Sequence, residues 1–210
     1  MNDDSRLKQA YGLKTPDDSR KLYADWADTY ESEFVAANGY VLHLNVARAF
    51  VEAGGQGPVL DMGAGTGIGG VALAERGVAE IDGTDISPEM LEQAAKKGVY
   101  RRLFAGDILA GLDVPDATYP GIVSAGTFTL GHVGPEGLGE VVRLLAPGGL
   151  AVIAVRDAHF EGAGFAGAIE TLAPRLERVA QEPARIYAEG ATGEHADDMS
   201  ILLHLWKGRT

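Results

Sequence analysis

The polar and apolar positions of this chain divide it into two textures. In the first, Leu22, Trp26, Tyr30 and Phe34 recur at i+4 spacing, with Tyr23 and Ala27 on the same face, which predicts an amphipathic helix. Thr15-Pro16-Asp17-Asp18 supplies its start, a capping-type threonine followed by acids in the first turn. Val41, Leu42, Val46, Ala49 and Phe50 predict a second helix over residues 39–53, closed by Gly54-Gly55. Beyond Gly57-Pro58, short apolar runs alternate with helix-length amphipathic segments. Strands are expected at about 58–62, 79–85, 100–105, 120–125 and 149–156, and helices near 67–76, 88–97, 135–146 and 163–180. Strand alternating with helix implies parallel strands joined by right-handed crossovers. The last two strand-like runs, 184–188 and 200–207, have only a polar segment between them and are expected to pair as an antiparallel hairpin.

The expected fold is therefore α/β: a Rossmann-like doubly wound sheet of about seven strands, mostly parallel with a C-terminal antiparallel hairpin, plus an N-terminal helical cap. Residues 1–56 read as the cap and residues 57–210 as the core, one structural domain overall.

Composition narrows the chemistry. The 210 residues are 46% hydrophobic and 23% charged, which excludes disorder as the main theme. The absence of cysteine removes disulfides, Cys-type zinc sites, iron–sulfur clusters and thiolate nucleophiles. No metal site is expected. Eighteen Lys and Arg against thirty Asp and Glu give a net charge of −12, which repels a phosphate backbone, so nucleic acid is disfavoured as a partner. Residues 1–12 contain no apolar stretch fit for a signal peptide, and the longest apolar region, 141–155, is broken by Arg143 and by Pro147-Gly148-Gly149. A cytoplasmic location and no membrane association are expected; the oligomeric state stays open. Glycine, at 29 residues, is about twice its usual share.

Those glycines concentrate where an open sheet binds its ligand. The turn after the first strand reads Val59-Leu60-Asp61-Met62-Gly63-Ala64-Gly65-Thr66-Gly67-Ile68-Gly69-Gly70, which lets backbone approach a ligand and turn into a helix. Asp85 follows Asp61 by twenty-four residues, in Gly83-Thr84-Asp85-Ile86-Ser87-Pro88, at the end of the second strand, where an acid can accept both hydroxyls of a ribose. Gly65 to Gly70 satisfies G-x-G-x-x-G, the dinucleotide pattern, but starts two residues late and leaves Asp61 where it would repel a pyrophosphate. A ligand carrying an ammonium and a sulfonium suits Asp61 better.

With those motifs in view, Val59 to Gly67, Asp85, Gly106-Asp107-Ile108 and Leu144-Leu145-Ala146-Pro147-Gly148-Gly149 resemble the motifs of class I S-adenosylmethionine-dependent methyltransferases, from about residue 20 to the end. The segment Lys21 to Tyr30 and Val123-Ser124-Ala125-Gly126 are most similar to the Williams–Beuren syndrome region methyltransferase-like group. The resemblance implies S-adenosyl-L-methionine as cofactor. It implies that Asp61 and the turn Gly63, Ala64, Gly65, Thr66 and Gly67 hold the methionine portion, and that Asp85 takes the ribose. Ile86 and Met90 would pack beside the adenine, Asp107 would accept from its amino group, and Ile108, after Gly106, would lend an amide. Ser124, Ala125 and Gly126 would close the far side, and Tyr23, Trp26 and Tyr30 would form a lid.

Candidate bases are His132 and His159, which follow the fourth and fifth strands, with Tyr23; His43 and His204 lie on regular elements and read as structural. His132 stands in Leu130-Gly131-His132-Val133, similar to a Leu-Glu-His-Val stretch of relatives with glycine in place of the acid. A base is optional in methyl transfer from a sulfonium. Ser124-Ala125-Gly126-Thr127-Phe128 lacks the Asp/Asn-Pro-Pro-aromatic pattern of base-amine methylation, so the expected acceptor is a small molecule. The rival readings are a non-catalytic S-adenosylmethionine-binding module and an NAD-dependent oxidoreductase.

Overall fold

The computed structural model describes residues 9, 10, 12, 15–192 and 195–209; the reading of residues 1–12 as free of a leader falls largely outside them. Helix α1, Pro16–Trp26, opens on the expected cap: the Thr15 side chain accepts from the Asp18 amide and the Asp18 carboxylate accepts from the Thr15 amide, at 3.2 and 3.1 Å. The apolar stripe does not continue as one helix. The chain turns after Trp26 and resumes as a π-helical segment, Glu31–Ala36, before α2, Leu42–Glu52. That break brings Tyr23, Trp26, Tyr30 and Phe34 into one cluster of rings with centroids 5.1 to 6.3 Å apart.

The alternating region then runs β1 (Val59–Met62), α3 (Ile68–Ala74), β2 (Ile81–Asp85), α4 (Pro88–Lys96), β3 (Arg102–Ala105), β4 (Tyr119–Phe128), α5 (Gly137–Leu144) and β5 (Leu145–Arg156). It ends in α6 (Asp157–Gly162), α7 (Phe165–Leu172), β6 (Leu176–Arg185) and β7 (Met199–Lys207). The seven strands form one sheet in the order β3-β2-β1-β4-β5-β7-β6. Neighbours from β3 to β5 are parallel, and β7 runs antiparallel to both β5 and β6.

The ending departs from expectation. The helix expected over 163–180 stops at Leu172, and the strand expected at 184–188 is β6, which begins at Leu176. Leu172, Leu176 and Val179 imitate helical spacing. Yet β6 is an edge strand paired only with β7, so its outer polar residues, Glu177, Arg178 and Gln181, read as a solvated helix face. Pro183, whose ring removes an amide donor, fits such an edge.

β1 shows how the sheet divides two cores. Val59 packs with α2 and α3 on one face, while Leu60 and Met62 pack with α5 on the other, so Asp61 projects on the α3 side at the strand's carboxyl end. α2 lies directly on this first face: Phe50 is fully buried, and its ring occupies the space a side chain at Gly121 of β4 would need. Ordered this way, β1 and β4 diverge at the switch point, where a cleft opens. Among the described residues no helix is long and apolar enough to cross a membrane.

Gly121→Ala is expected to lower stability by about 1–3 kcal/mol, since the new methyl meets Phe50 and the Gln56 carbonyl and neither can retreat. Urea denaturation checks this, and an unchanged midpoint would contradict the packing described.

Candidate functional site

The turn after β1 owes its shape to a ring beneath it. Gly63, Gly65 and Gly67 all take positive φ, at 77°, 53° and 90°, a region closed to most side chains. A side chain at Gly67 or Gly70 would strike Tyr100, which lies in the turn leading to β3. The Tyr100 hydroxyl accepts from the Gly70 amide at 3.0 Å and donates to Asp61 Oδ2 at 2.7 Å, joining the start of α3 to the end of β1. Gly67 therefore faces Ala94 and Tyr100 and does not line the cleft, contrary to the role expected of it. Its departure from the ligand side has a plain cause: the tight packing of α3 against α4.

The cleft at the switch point encloses about 1040 Å³, its open mouth included. Asp61, Gly63, Ala64, Gly65 and Thr66 line one wall. Asp85, Ile86 and Met90 line the next, followed by Gly106, Asp107 and Ile108. Ala125, Gly126 and His132 complete it from β4 and the following loop, and Tyr23 and Tyr30 cover it from the N-terminal helices. The Asp85 carboxylate accepts from the amides of Gly65 (2.8 Å) and Ser87 (2.9 Å), so it clamps the glycine turn to the start of α4. Asp107 accepts from the Leu109 amide at 2.9 Å. The expected lining is thus largely brought together.

Three further expectations need correction. Ser124 is buried and donates to the Met62 carbonyl at 2.7 Å, tying β4 to β1 and not lining the cleft. His159 is buried under α7, with Nε2 3.2 Å from the Val133 carbonyl and its ring against Phe165, so it does not reach the acceptor edge. Trp26, 1% exposed, lines a neighbouring chamber and not the first cleft.

That second chamber measures about 590 Å³, its open mouth included, and its lining includes Trp26, Phe34, Phe128, Ile186 and Tyr187 together with Arg156 and Ser200. Tyr23, Tyr30, Tyr40, Gly126 and His132 line both spaces, so the two adjoin across a boundary formed by these five residues, called the throat below. Gly126, at φ 82°, keeps the throat open beside the Tyr40 hydroxyl. In its wall the Tyr23 hydroxyl stands 2.8 Å from His132 Nε2, while His132 Nδ1 stands 3.0 Å from the Leu130 carbonyl. A carbonyl can only accept, so Nδ1 carries the proton and Nε2 is left to accept from Tyr23. Tyr100, Tyr40, Ser200 and Arg156 were not singled out from the sequence. Tyr100 and Tyr40 occupy turns or short bridges, Ser200 opens a strand and Arg156 closes one, and none carries a spacing signal.

The electrostatics are one-sided. Burial pushes the Asp61 carboxyl up to about 6, with the charge of Asp85 adding to the rise against the Tyr100 and Gly70 hydrogen bonds. Burial likewise raises Asp85 despite three amide hydrogen bonds. His43, stacked on Tyr40, is pulled down to about 4 by burial, and His132 is lowered by burial too, so both imidazoles are neutral near pH 7. Tyr30 is raised well above its ordinary value by burial and the neighbouring tyrosines, which keeps its hydroxyl protonated. No Lys or Arg lines the cleft among the described residues. Two destabilised carboxylates call for a cation, and nothing there would meet a pyrophosphate. The buried Thr66 and Thr84 hydroxyls find no hydrogen-bond partner among the described residues, which leaves polar valence for a ligand. The donor set therefore fits a ligand with a ribose and a cationic amino-acid end. No group of three or more His, Asp or Glu able to hold a metal occurs among the described residues.

Comparisons with known proteins agree with this geometry. Residues 59–149 match the family described as "Methyltransferase domain". Human methyltransferase-like protein 27 is 29% identical over 185 residues, 83% of this chain and 72% of that protein. The demethylmenaquinone methyltransferase of Thermus thermophilus is 37% identical over 100 residues, which span 45% of each chain. Among solved structures, a chain of the complex between the Haloferax volcanii Trm112 methyltransferase activator and its methyltransferase superposes with a TM-score of 0.65, covering 89% of this chain and 97% of that one. At 18% identity that likeness shows the fold alone.

Asp61 supplies a pH test. Its carboxyl holds a proton in the folded state between about 3.8 and about 6, where the unfolded chain has lost it, so this group's contribution to stability falls as pH rises through that window. Denaturant unfolding of wild type and Asp61→Asn at several pH values isolates it: wild type should lose stability relative to the variant between about pH 4 and 6. Parallel curves would show that Asp61 is not destabilised by its burial.

Proposed function

The chain belongs to the class I S-adenosylmethionine-dependent methyltransferases, and we propose that it methylates a hydroxyl group of a small-molecule acceptor, with Tyr23 and His132 taking up the proton. The observation that carries this reading is the throat: a hydrogen-bonded tyrosine–histidine pair in the wall between two chambers. When bound, S-adenosylmethionine supplies a methyl group already activated by the positive charge on sulfur. The protein then has to align, exclude water and handle one proton.

Each task has residues for it. Asp85 is suited to the ribose hydroxyls, Asp107 and the Ile108 amide to the adenine, and Asp61 with the turn from Gly63 to Thr66 to the cationic methionine end. Ile86 and Met90 offer apolar contact. Tyr23 and Tyr30 present aromatic faces at the throat, favourable beside a cation. His132 is held by Leu130 in the tautomer whose lone pair faces Tyr23. With S-adenosylmethionine bound, the acceptor oxygen would bond to the methyl carbon and the electron pair of the carbon–sulfur bond would stay on sulfur. The acceptor's proton passes to the Tyr23 oxygen while the Tyr23 proton passes to His132 Nε2. One positive charge disappears from sulfur and one appears on the imidazole, so charge is conserved across the step.

A small acceptor is supported by the apolar rings that line the second chamber. The relative named demethylmenaquinone methyltransferase has a small molecule in its name, which supports the same reading. The net charge of −12 argues further against a polyanionic acceptor. A dinucleotide-dependent oxidoreductase is disfavoured by Asp61, a buried carboxylate beside the glycine turn where a pyrophosphate would lie.

His132→Gln should lower kcat for a hydroxyl acceptor by about 100-fold while S-adenosylhomocysteine affinity stays within about threefold. Because burial lowers His132, the wild-type rate should level off at a pH below the ordinary histidine value, and the variant should lose that limb. Unchanged kcat in both His132→Gln and Tyr23→Phe would remove the pair from the mechanism. Asp85→Ala should weaken S-adenosylhomocysteine binding by about 10–100-fold through loss of charge-assisted ribose hydrogen bonds, and calorimetry reads this directly. An unchanged dissociation constant would show that Asp85 does not meet the ribose.

A further inference from the structure

The second chamber carries chemical information about the acceptor beyond its size. We infer that it takes a flat phenol bearing a neutral hydrogen-bonding substituent for the Ser200 hydroxyl, an inference that rests on the hydroxyl-transfer reading above. Three features point this way.

The walls are rings. Trp26, Phe34 and Tyr187 are 1%, 6% and 3% exposed, and their rings pack edge-on or tilted to one another, with Trp26 and Phe34 centroids 5.6 Å apart and Phe34 and Tyr187 6.4 Å apart. An aromatic ring entering such a set gains offset and edge contacts that an aliphatic body of the same area lacks.

The wall formed by Ser200 and Arg156 is polar but uncharged as a whole. Ser200, 1% exposed, lines the chamber, and its hydroxyl finds no hydrogen-bond partner among the described residues. A buried hydroxyl in that state calls for a polar ligand atom. Beside it on the neighbouring strand, in register with Ser200, stands Arg156, whose guanidinium is paired with Asp198 at 2.6 Å. With the positive charge already answered by Asp198, a carboxylate on the ligand would add an unmatched negative charge, whereas a carbonyl or hydroxyl can use the Ser200 hydroxyl without that penalty.

The reacting end is where the chamber borders the first cleft, at Tyr23 and His132, which line both spaces, whereas Ser200 lines only the second. A phenol suits a neutral imidazole–tyrosine pair. Its hydroxyl gives up a proton near pH 10, as the tyrosine side chain does, far more readily than an alkyl alcohol.

The test uses the full chain with S-adenosylhomocysteine present for binding and S-adenosylmethionine for transfer. The acceptors are para-hydroxyacetophenone, para-ethylphenol, para-hydroxybenzoate and cyclohexanol. Calorimetry should show para-hydroxyacetophenone binding about tenfold more tightly than para-hydroxybenzoate or cyclohexanol. Ser200→Ala should weaken the ketone by about fivefold and para-ethylphenol by less than about twofold. Equal or tighter binding of the carboxylate or of cyclohexanol to the wild-type chain would overturn the inference without any variant having to fold. So would an identical loss for both phenols in Ser200→Ala. The two readings fail separately: phenol binding without formation of S-adenosylhomocysteine in the transfer assay supports the chamber's chemistry and overturns hydroxyl transfer. Transfer to cyclohexanol with no phenol bound overturns the chamber's chemistry and leaves methyl transfer to a hydroxyl standing.

Discussion

One tyrosine determines the form of the ligand-binding turn. Tyr100 spans the gap between the end of β1 and the start of α3 with a single hydroxyl that accepts from Gly70 and donates to Asp61. Its ring occupies space that side chains at Gly67, Gly70 and Gly83 would need. Some of the glycines in this turn therefore serve the ring beneath it, while Gly65, with open space on its own side, serves the ligand above. The same hydroxyl holds one oxygen of Asp61, so the acid is fixed in position before any ligand arrives. Preorganisation of this kind reduces the ordering that binding would otherwise require.

The charge pattern follows from that placement. Asp61 and Asp85 are held in the same cleft with no basic side chain lining it among the described residues, and burial drives both carboxyls towards protonation. A cationic ligand reverses that cost, because the two acids then have a charge to answer. The N-terminal rings complete the enclosure. Around the break after α1, Tyr23, Trp26, Tyr30 and Phe34 form one cluster of rings, so the same aromatic set borders the first cleft and walls the second chamber. Stability and function share these side chains: the stripe is hydrophobic core on one side and throat on the other.

The sheet was legible because β1, β2, β4 and β5 are largely buried and the helices amphipathic, so that short apolar runs alternate with period-3.6 segments from Val59 to Arg156. Legibility failed at β6, where an edge strand with one exposed face presents polar residues at helix-like intervals. In the site, Asp61 and Asp85 were legible from their places at the strand ends and the offset between them, while Asp107 was legible only through the family resemblance. Gly67, Ser124 and His159 lie in the same motifs or loops but point into packing, and sequence offset carries no information about which way a residue faces in a turn. Tyr100 and Ser200 act through contacts across 39 residues in one case and through an unsatisfied buried hydroxyl in the other. Neither is visible without three dimensions.

The central claim is that two chambers meet at a throat with Tyr23 and His132 in its wall, one holding the methyl donor and the other the acceptor. A crystal structure of the chain with S-adenosylhomocysteine tests it most directly. The account predicts the ribose hydroxyls on Asp85, the amino-acid end beside Asp61 and the glycine turn, and the sulfur facing the throat between Tyr30 and Gly126. Sulfur turned away from Tyr23 and His132, or a ligand lodged among the rings of the second chamber, would contradict it.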